Sequence, residues 1–347
     1  MASLKTAQRL IKIDRLRDIY FKCAIEAGAD AEGAQTFAQC LSLSDLRHET
    51  QGVSLFCEFI LPQIREGRIH FNRPRHEELR PALISVDAGG CAGQITLSNA
   101  MDEIVDRAKR LGVAMALVRE TGDIGMASAY AMRALEHDTI GVVVCRGAAP
   151  LVAPWGAKKG LFGTNPIAVA VPAGRNAPIV IDMSPSLFSV GTLVQAAKRD
   201  ERSDAACVVT MEGEYSNRPL DIVSDVGRRE PPLLGALLPF GVKGSALLVL
   251  TEMLAGALNA APLNIEPQTS AFSSCCLIAI DIAAALDPAQ FKRQVDAFID
   301  YATALPPAQG FSQILLPGQR AAELARERML SGILVREDHW RTLSAFE

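Results

Sequence analysis

The sequence predicts an α/β protein with a helical lobe at its N-terminus. Two observations carry this. Between Leu83 and Cys145, strand and helix patterns alternate: a strand at Leu83–Asp87, a helix over 96–111, a strand over 113–118, a helix over about 126–136 and a strand over 140–145. Ahead of them, three helical patterns fill the first seventy residues. No Gly-x-Gly-x-x-Gly follows any of these strands, so a standard Rossmann fingerprint is absent and a dinucleotide site has to be built differently.

Each element has a local cause. Leu16, Ile19, Tyr20 and Cys23 recur at helical spacing and Gly28 is the stop. A second helix starts near Asp30 and carries Phe37, Cys40 and Leu41; a third runs from Val53 to about Glu66. Between them lies a polar segment containing Asp45, Arg47, His48, Glu49 and Gln51, which faces either solvent or a cleft. Farther on, 245–258 reads as an apolar helix that must be buried on most sides, in the core or in a subunit interface. A strand over 270–282, a helix over 287–302 opened by Asp-Pro-Ala, and a helix over 321–334 complete the chain. The expected division is a helical lobe at 1–80, joined by 320–347, and an α/β region at 81–319.

Composition excludes several classes. With 347 residues, 49% hydrophobic and 21% charged, the chain can bury a full core. A net charge of -4, with no basic run interleaved with aromatics, argues against nucleic acid and anionic membranes as partners. Lys5, Arg9, Lys12, Asp14 and Arg15 interrupt any signal-peptide core, and the expected location is cytoplasmic. Eight cysteines without a Cys-x-x-Cys pair read as reduced core thiols, Cys275-Cys276 as part of a buried strand. The histidines have no ligand spacing, so no metal site is expected.

The stretch 161–186 organises the rest. Two apolar runs, Ile167–Val171 and 179–181, read as strands joined by a loop. Gly163-Thr164-Asn165-Pro166 precedes the first, and Asp182-Met183-Ser184-Pro185-Ser186 follows the second. Small polar groups at strand ends mark a sheet edge, where α/β proteins hold ligands; an ordinary hairpin with polar turns is the plainer reading.

Five segments in a fixed order, ALVRETGDIG, LVAPWGAKKGLFGTNPIAVAVP, IVIDMSPS, LLPFGVKGSALLVLTEMLAG and LLPGQR, carry a resemblance. The chain resembles the malate/L-lactate dehydrogenase family that is distinct from the Rossmann lactate dehydrogenases. The likeness covers nearly the whole chain and is weakest over 191–234. It implies a mixed-sheet, non-Rossmann cofactor domain, NADH or NADPH as cofactor, a small carboxylate substrate and a homodimer. It places the cofactor on Ile181, Asp182, Met183, Ser184 and Ser186, on Lys243 and Gly244, and on Pro317, Gly318 and Arg320. It places substrate on Arg47, where a guanidinium pairs with a carboxylate through two hydrogen bonds, and near Thr164 and Asn165.

Two motif positions depart from the family. Gln51 stands where the family has its proton-donating histidine, in a segment one residue shorter than usual; an amide cannot release a proton near neutrality. Asp123 replaces a second family histidine. Three readings follow. His48 or Asp123 supplies the proton to a 2-oxo acid. Alternatively the substrate is a cyclic 2-imino acid whose iminium already carries charge, with Asp123 stabilising it. In the third, the chain has lost hydride transfer and binds, or runs a non-redox reaction. Arg119, close to Asp123, is expected either to pair with it or to stand apart.

Overall fold

A computed structural model of the chain describes residues 7–48, 50–228, 231–265 and 272–347. The elements run β1 (Gln8–Ile11), α1 (Ile13–Glu26), α2 (Ala31–Arg47), α3 (Val53–Leu55), a π turn, α4 (Leu61–Arg65), β2 (Arg75–Arg80), β3 (Leu83–Asp87), α5 (Gly93–Leu111) and β4 (Val113–Thr121). They continue with α6 (Ser128–Ala131), β5 (Thr139–Arg146), β6 (Ile167–Val171), β7 (Ile179–Met183), α7 (Val190–Lys198), β8 (Val208–Thr210), β9 (Tyr215–Ser216) and β10 (Gly235–Leu237). Last come α8 (Gly241–Thr251), β11 (Ser273–Asp281), α9 (Pro288–Thr303), α10 (Gln319–Ser331), β12 (Ile333–Arg336) and α11 (Glu337–Leu343).

The main sheet has seven strands in the order β2-β3-β4-β11-β5-β6-β7. Only β3 and β4 pair in parallel; every other neighbouring pair is antiparallel. The sheet is therefore mixed, unlike the parallel doubly wound sheet of a Rossmann domain. One face of its central strands is covered by the apolar stripe of α5, with Ala100, Met101, Ile104 and Ala108 against Val118, Val143, Cys275 and Leu277. A smaller sheet, β10-β8-β9, packs with α7 and α8 around Val208, Leu193, Leu237 and Leu248.

Residues 11–69 and 333–343 share one core, in which Tyr20, Phe37 and Phe56 stack edge to face. The two ends of the chain meet there because β1 and β12 pair, Ile11 opposite Ile333. This corrects the expected helix over 321–334. Gly332 takes a left-handed conformation (φ 106°) and stops α10, and the aliphatic run after it pairs with a strand more than 300 residues away. The third expected helix is also interrupted: Phe56–Ile60 forms the π turn between α3 and α4. The expected strand over 270–282 begins at Ser273 as described; Ser270 and Ala271 lie outside the described residues.

Within the single chain the core covers only part of the apolar helix, which leaves the interface alternative of the expectation standing. Val242, Val249 and Leu250 of α8, and Met253 and Leu258 in the turns after it, are exposed. Together 241–259 is long and apolar enough, by composition, to cross a membrane. It nevertheless carries Lys243 and Glu252, and Glu252 is held inside the fold by Arg146, 3.4 Å away. All eight cysteines are free thiols, Cys145 and Cys275 lying 3.0 Å apart across β5 and β11.

Candidate active site

The topology brings one set of strand ends together. The C-terminal ends of β4, β5 and β7 and the N-terminal ends of β6 and β11 all lie at the same edge, since β4 and β5 run antiparallel to β11, and β6 antiparallel to its neighbours. Between this edge and the helical lobe opens a cleft of about 580 Å³. Arg47, His48 and Gln51 wall it from the lobe; Asp123, Thr164, Asp182, Met183, Ser184 and Gly318 wall it from the sheet side.

Asp182 owes its position to strand alternation. Val180, two residues earlier, is core, so Asp182 falls on the same face just beyond it, opposite Ala168. The backbone N–H of Ser128, at the start of α6, donates to its Oδ2 at 2.8 Å. The side chain is open to the cleft yet crowded by protein, and this desolvation raises its pKa above the ordinary carboxylate value. The Ser128 hydrogen bonds and the charges of His48 and Arg47 oppose the rise. Asp123 bends back on its own loop, its Oδ1 accepting from Gly125 N at 2.8 Å. Arg119 does not pair with Asp123: its Nη2 donates to Asp87 at 3.1 Å.

The lobe wall is held differently. Asp45, fully buried, accepts from Val53 N and from the Tyr20 hydroxyl, each at 2.7 Å, and so fixes both ends of the loop between them. A Cβ at position 52 would lie 1.7 Å from Asp45 Oδ1, which is why glycine stands there. Burial pushes the Asp45 carboxyl up to about 7 against these hydrogen bonds and the Arg328 charge. From α10, Arg328 Nη1 donates to the carbonyl oxygens of Asp45 (2.6 Å) and His48 (2.9 Å). His48 Nδ1 accepts from Thr50 N at 3.1 Å, so a neutral ring carries its proton on Nε2. Arg47 is half-buried; desolvation lowers its pKa, Asp182 raises it, and the guanidinium stays charged. Among the described residues, no carboxylate lies within ion-pair distance of Arg47. Asp45, one expected alternative partner, is bound elsewhere, and Glu49, the other, lies outside the described residues.

Several expected site residues lie outside the cleft lining. Asn165 is fully buried, with Oδ1 accepting from Gly147 N and Nδ2 donating to Thr251 Oγ1; it holds the loop before β6 and does not reach substrate space. Ile181 alternates to the other face of β7 from Asp182. Ser186 is buried, its Oγ 2.6 Å from Ser184 Oγ. Lys243 and Arg320 are exposed and, like Gly244 and Pro317, flank the cleft without lining it.

These flanking residues nevertheless converge on β7 and the turn after it. Phe240 N donates to Pro185 O at 3.0 Å, and a Cβ on Gly244 would sit 2.8 Å from that same oxygen. On the other side Val180 N donates to Pro317 O at 3.1 Å, and Gly318 (φ 92°) leaves no room for a Cβ against Val180. Two helix N-termini, those of α8 and α10, therefore adjoin β7 and its following turn. Neither has a side-chain cap or an acidic residue in its first turn, and each has a cation there, Lys243 or Arg320. That is the reverse of the charge a helix dipole favours, and it suits an anionic group held nearby.

A family model described as malate/L-lactate dehydrogenase matches residues 11–344. The chain belongs to the malate/L-lactate dehydrogenase family. It is an oxidoreductase of that family, whose members act on small organic acids. The malate/(S)-sulfolactate dehydrogenase of Methanothermus fervidus is 27% identical over 333 residues, covering 93% of each chain. The (2R)-3-sulfolactate dehydrogenase (NADP(+)) of Chromohalobacter salexigens is 28% identical over 78% of each chain. Sulfolactate dehydrogenase from Methanocaldococcus jannaschii superposes with a TM-score of 0.85 at 26% identity, covering 97% of this chain and 96% of that one. The mixed, non-Rossmann sheet expected from the resemblance is the sheet observed.

Sequence reading missed part of this family member's cleft. Leu55, Phe59 and Gln63 line it in register with Gln51, each four residues on. That spacing was available as a signal, because residues four apart share a helix face. Thr121 also lines the cleft, and its buried hydroxyl has no hydrogen-bond partner among the described residues.

Proposed function

We propose that this chain reduces a small 2-oxo acid or cyclic 2-imino acid with NADH or NADPH, hydride passing to C2. The observation that carries the reading is the cleft in which Arg47 and His48 from the lobe face Asp182 and Asp123 at the sheet edge. The cofactor, when bound, supplies the hydride. Lys243, Arg320 and the two uncapped helix N-termini would hold its phosphates, and Asp182 to Ser184 would border its reactive end. Arg47 holds the substrate carboxylate. His48 offers an Nε2–H hydrogen bond to the group on C2. Asp182, whose pKa is raised by its surroundings, is the carboxyl suited to deliver a proton to a ketone oxygen, a role the sequence reading had given to Asp123 or His48. With an iminium substrate, the same carboxylates stabilise charge and no proton need be delivered to the heteroatom.

The test is titration with NADH and with NADPH, followed by nicotinamide fluorescence, then turnover of pyruvate-like ketones against cyclic imines. Binding of neither nucleotide refutes the reading. The exposed row Val242, Val249, Leu250 and Met253 supports a homodimer through α8. Light scattering that gives a monomer of 37.2 kDa at micromolar concentration would remove that part.

A further inference from the structure

We infer that the substrate is a monocarboxylate bearing an apolar substituent, and that the cleft selects against the dicarboxylate and sulfo-carboxylate anions named for its relatives. The inference rests on the proposed reductase reading and narrows its substrate class.

The argument is a balance of charge around the cleft. Arg47 is the guanidinium there whose charge no carboxylate among the described residues takes up. Arg68 is engaged by Glu66 at 2.8 Å. Arg146 also lines the cleft but is 3% exposed and is held by Glu252, 3.4 Å away, and by Asn264 Oδ1 at 2.7 Å. Against Arg47 stand two carboxyl groups, Asp123 and Asp182. A single substrate carboxylate is matched by Arg47. Beyond Arg47 and the His48 ring, a second anionic group would meet Asp123 or Asp182, or lie against apolar side chains.

Apolar side chains supply a large part of the cleft lining. Leu55 packs beside the Asp123–Gly125 loop, its Cδ2 3.3 Å from where a Cβ on Gly125 would lie. Phe59, Ile124, Met126 and Phe272 extend the wall. Leu55, Ile124 and Met126 are each under 9% exposed, so a charge placed against them would be stripped of water without a partner. An alkyl or ring substituent there is buried favourably.

The test uses two redox-inert probes on the protein saturated with reduced nicotinamide nucleotide: N-butyloxamate, a monoanion with an apolar tail, and tartronate, a dianion. Calorimetric titration should show N-butyloxamate binding at least about tenfold more tightly, within the range a hydrophobic pocket can discriminate. Equal or reversed affinities, or binding of neither probe, overturn the inference. Phe59→Arg, which puts a cation into the wall, should narrow the preference by raising tartronate affinity; an unchanged ratio in a variant that still binds nucleotide counts against the wall. The nucleotide titration separates the two levels. If the nucleotide binds and the probe order is wrong, only this inference falls. If no nucleotide binds, the reductase reading falls and takes this inference with it.

Discussion

The two walls of the cleft are built by different means. On the sheet side, Asp182 is placed by strand register and by a backbone donor, Ser128 N, and the turn after it is tied to Pro239 and Phe240 by backbone pairing. On the lobe side, Arg47 ends α2 and His48 and Gln51 follow on a short loop, held by side chains: Asp45 from the helix end, Tyr20 from α1 and Arg328 from α10. Backbone register tolerates most side-chain changes, whereas a loop held by a few side chains can be reshaped by one substitution. The departures at Gln51 and in the shortened loop fall on the second kind of wall; Asp123 lies on the loop after β4. The contrast teaches where this family member can change its chemistry without losing its fold.

Breaking the sheet side should cost most. Asp182→Asn keeps the Ser128 hydrogen bond but removes the proton, and kcat for a ketone should fall by about 10²-fold or more. Stopped-flow oxidation of the reduced nicotinamide measures it; an unchanged rate removes Asp182 from proton transfer, and a loss much smaller for an imine than for a ketone would favour the iminium reading. Next comes Arg47→Met, which keeps the stem and removes the fork. Its kcat/KM should drop by roughly 10- to 100-fold, through KM more than kcat, matching the loss of a charge-assisted pair. Nucleotide affinity should not change.

The clamp is tested by Arg328→Met. Among the described residues of that loop Arg328 donates to the carbonyls of Asp45 and His48, so its loss should loosen the wall and lower kcat/KM by about tenfold, with Arg328→Lys recovering part of it. Equal proteolytic protection of the loop in both variants would show that the clamp holds nothing. The smallest effect concerns pH. Asp45 titrates near 7 in the folded chain, above its unfolded value of 3.8, so the folded state binds the extra proton between those values. Stability is then highest below about pH 4 as far as this group is concerned, and falls as pH rises through 7. Asp45→Asn should flatten that slope, seen as a shift of a few degrees in Tm between pH 5 and 7.5 relative to the unmodified chain. Parallel pH profiles of Tm would refute it.

Much of the fold was legible because it rests on short-range periodicity. The helix of α5, the strands β3 to β7, the stop at Gly28 and the helix start near Asp30, whose side chain accepts from Gly33 N at 2.8 Å, follow from local spacing. The interrupted third helix and the strand β12 were not legible, since a π turn and a strand pairing over 300 residues leave no local mark. Of the site, Arg47, His48, Gln51, Asp123, Thr164, Asp182, Met183, Ser184 and Gly318 were named and do line the cleft. Asn165 was named for the same polar character, yet its amide turns inward to Gly147 and Thr251.

By itself the sequence determined the element types, the family motifs and the two departures from them, because residue type and spacing act over a turn of helix or a few strand positions. Only the tertiary structure decided which polar groups face one another. It turned Asp182 toward Arg47 and His48, buried Asn165, and tied the lobe loop to α10. Those outcomes depend on strand register and on partners far apart in the chain, and spacing along the sequence carries no information about either.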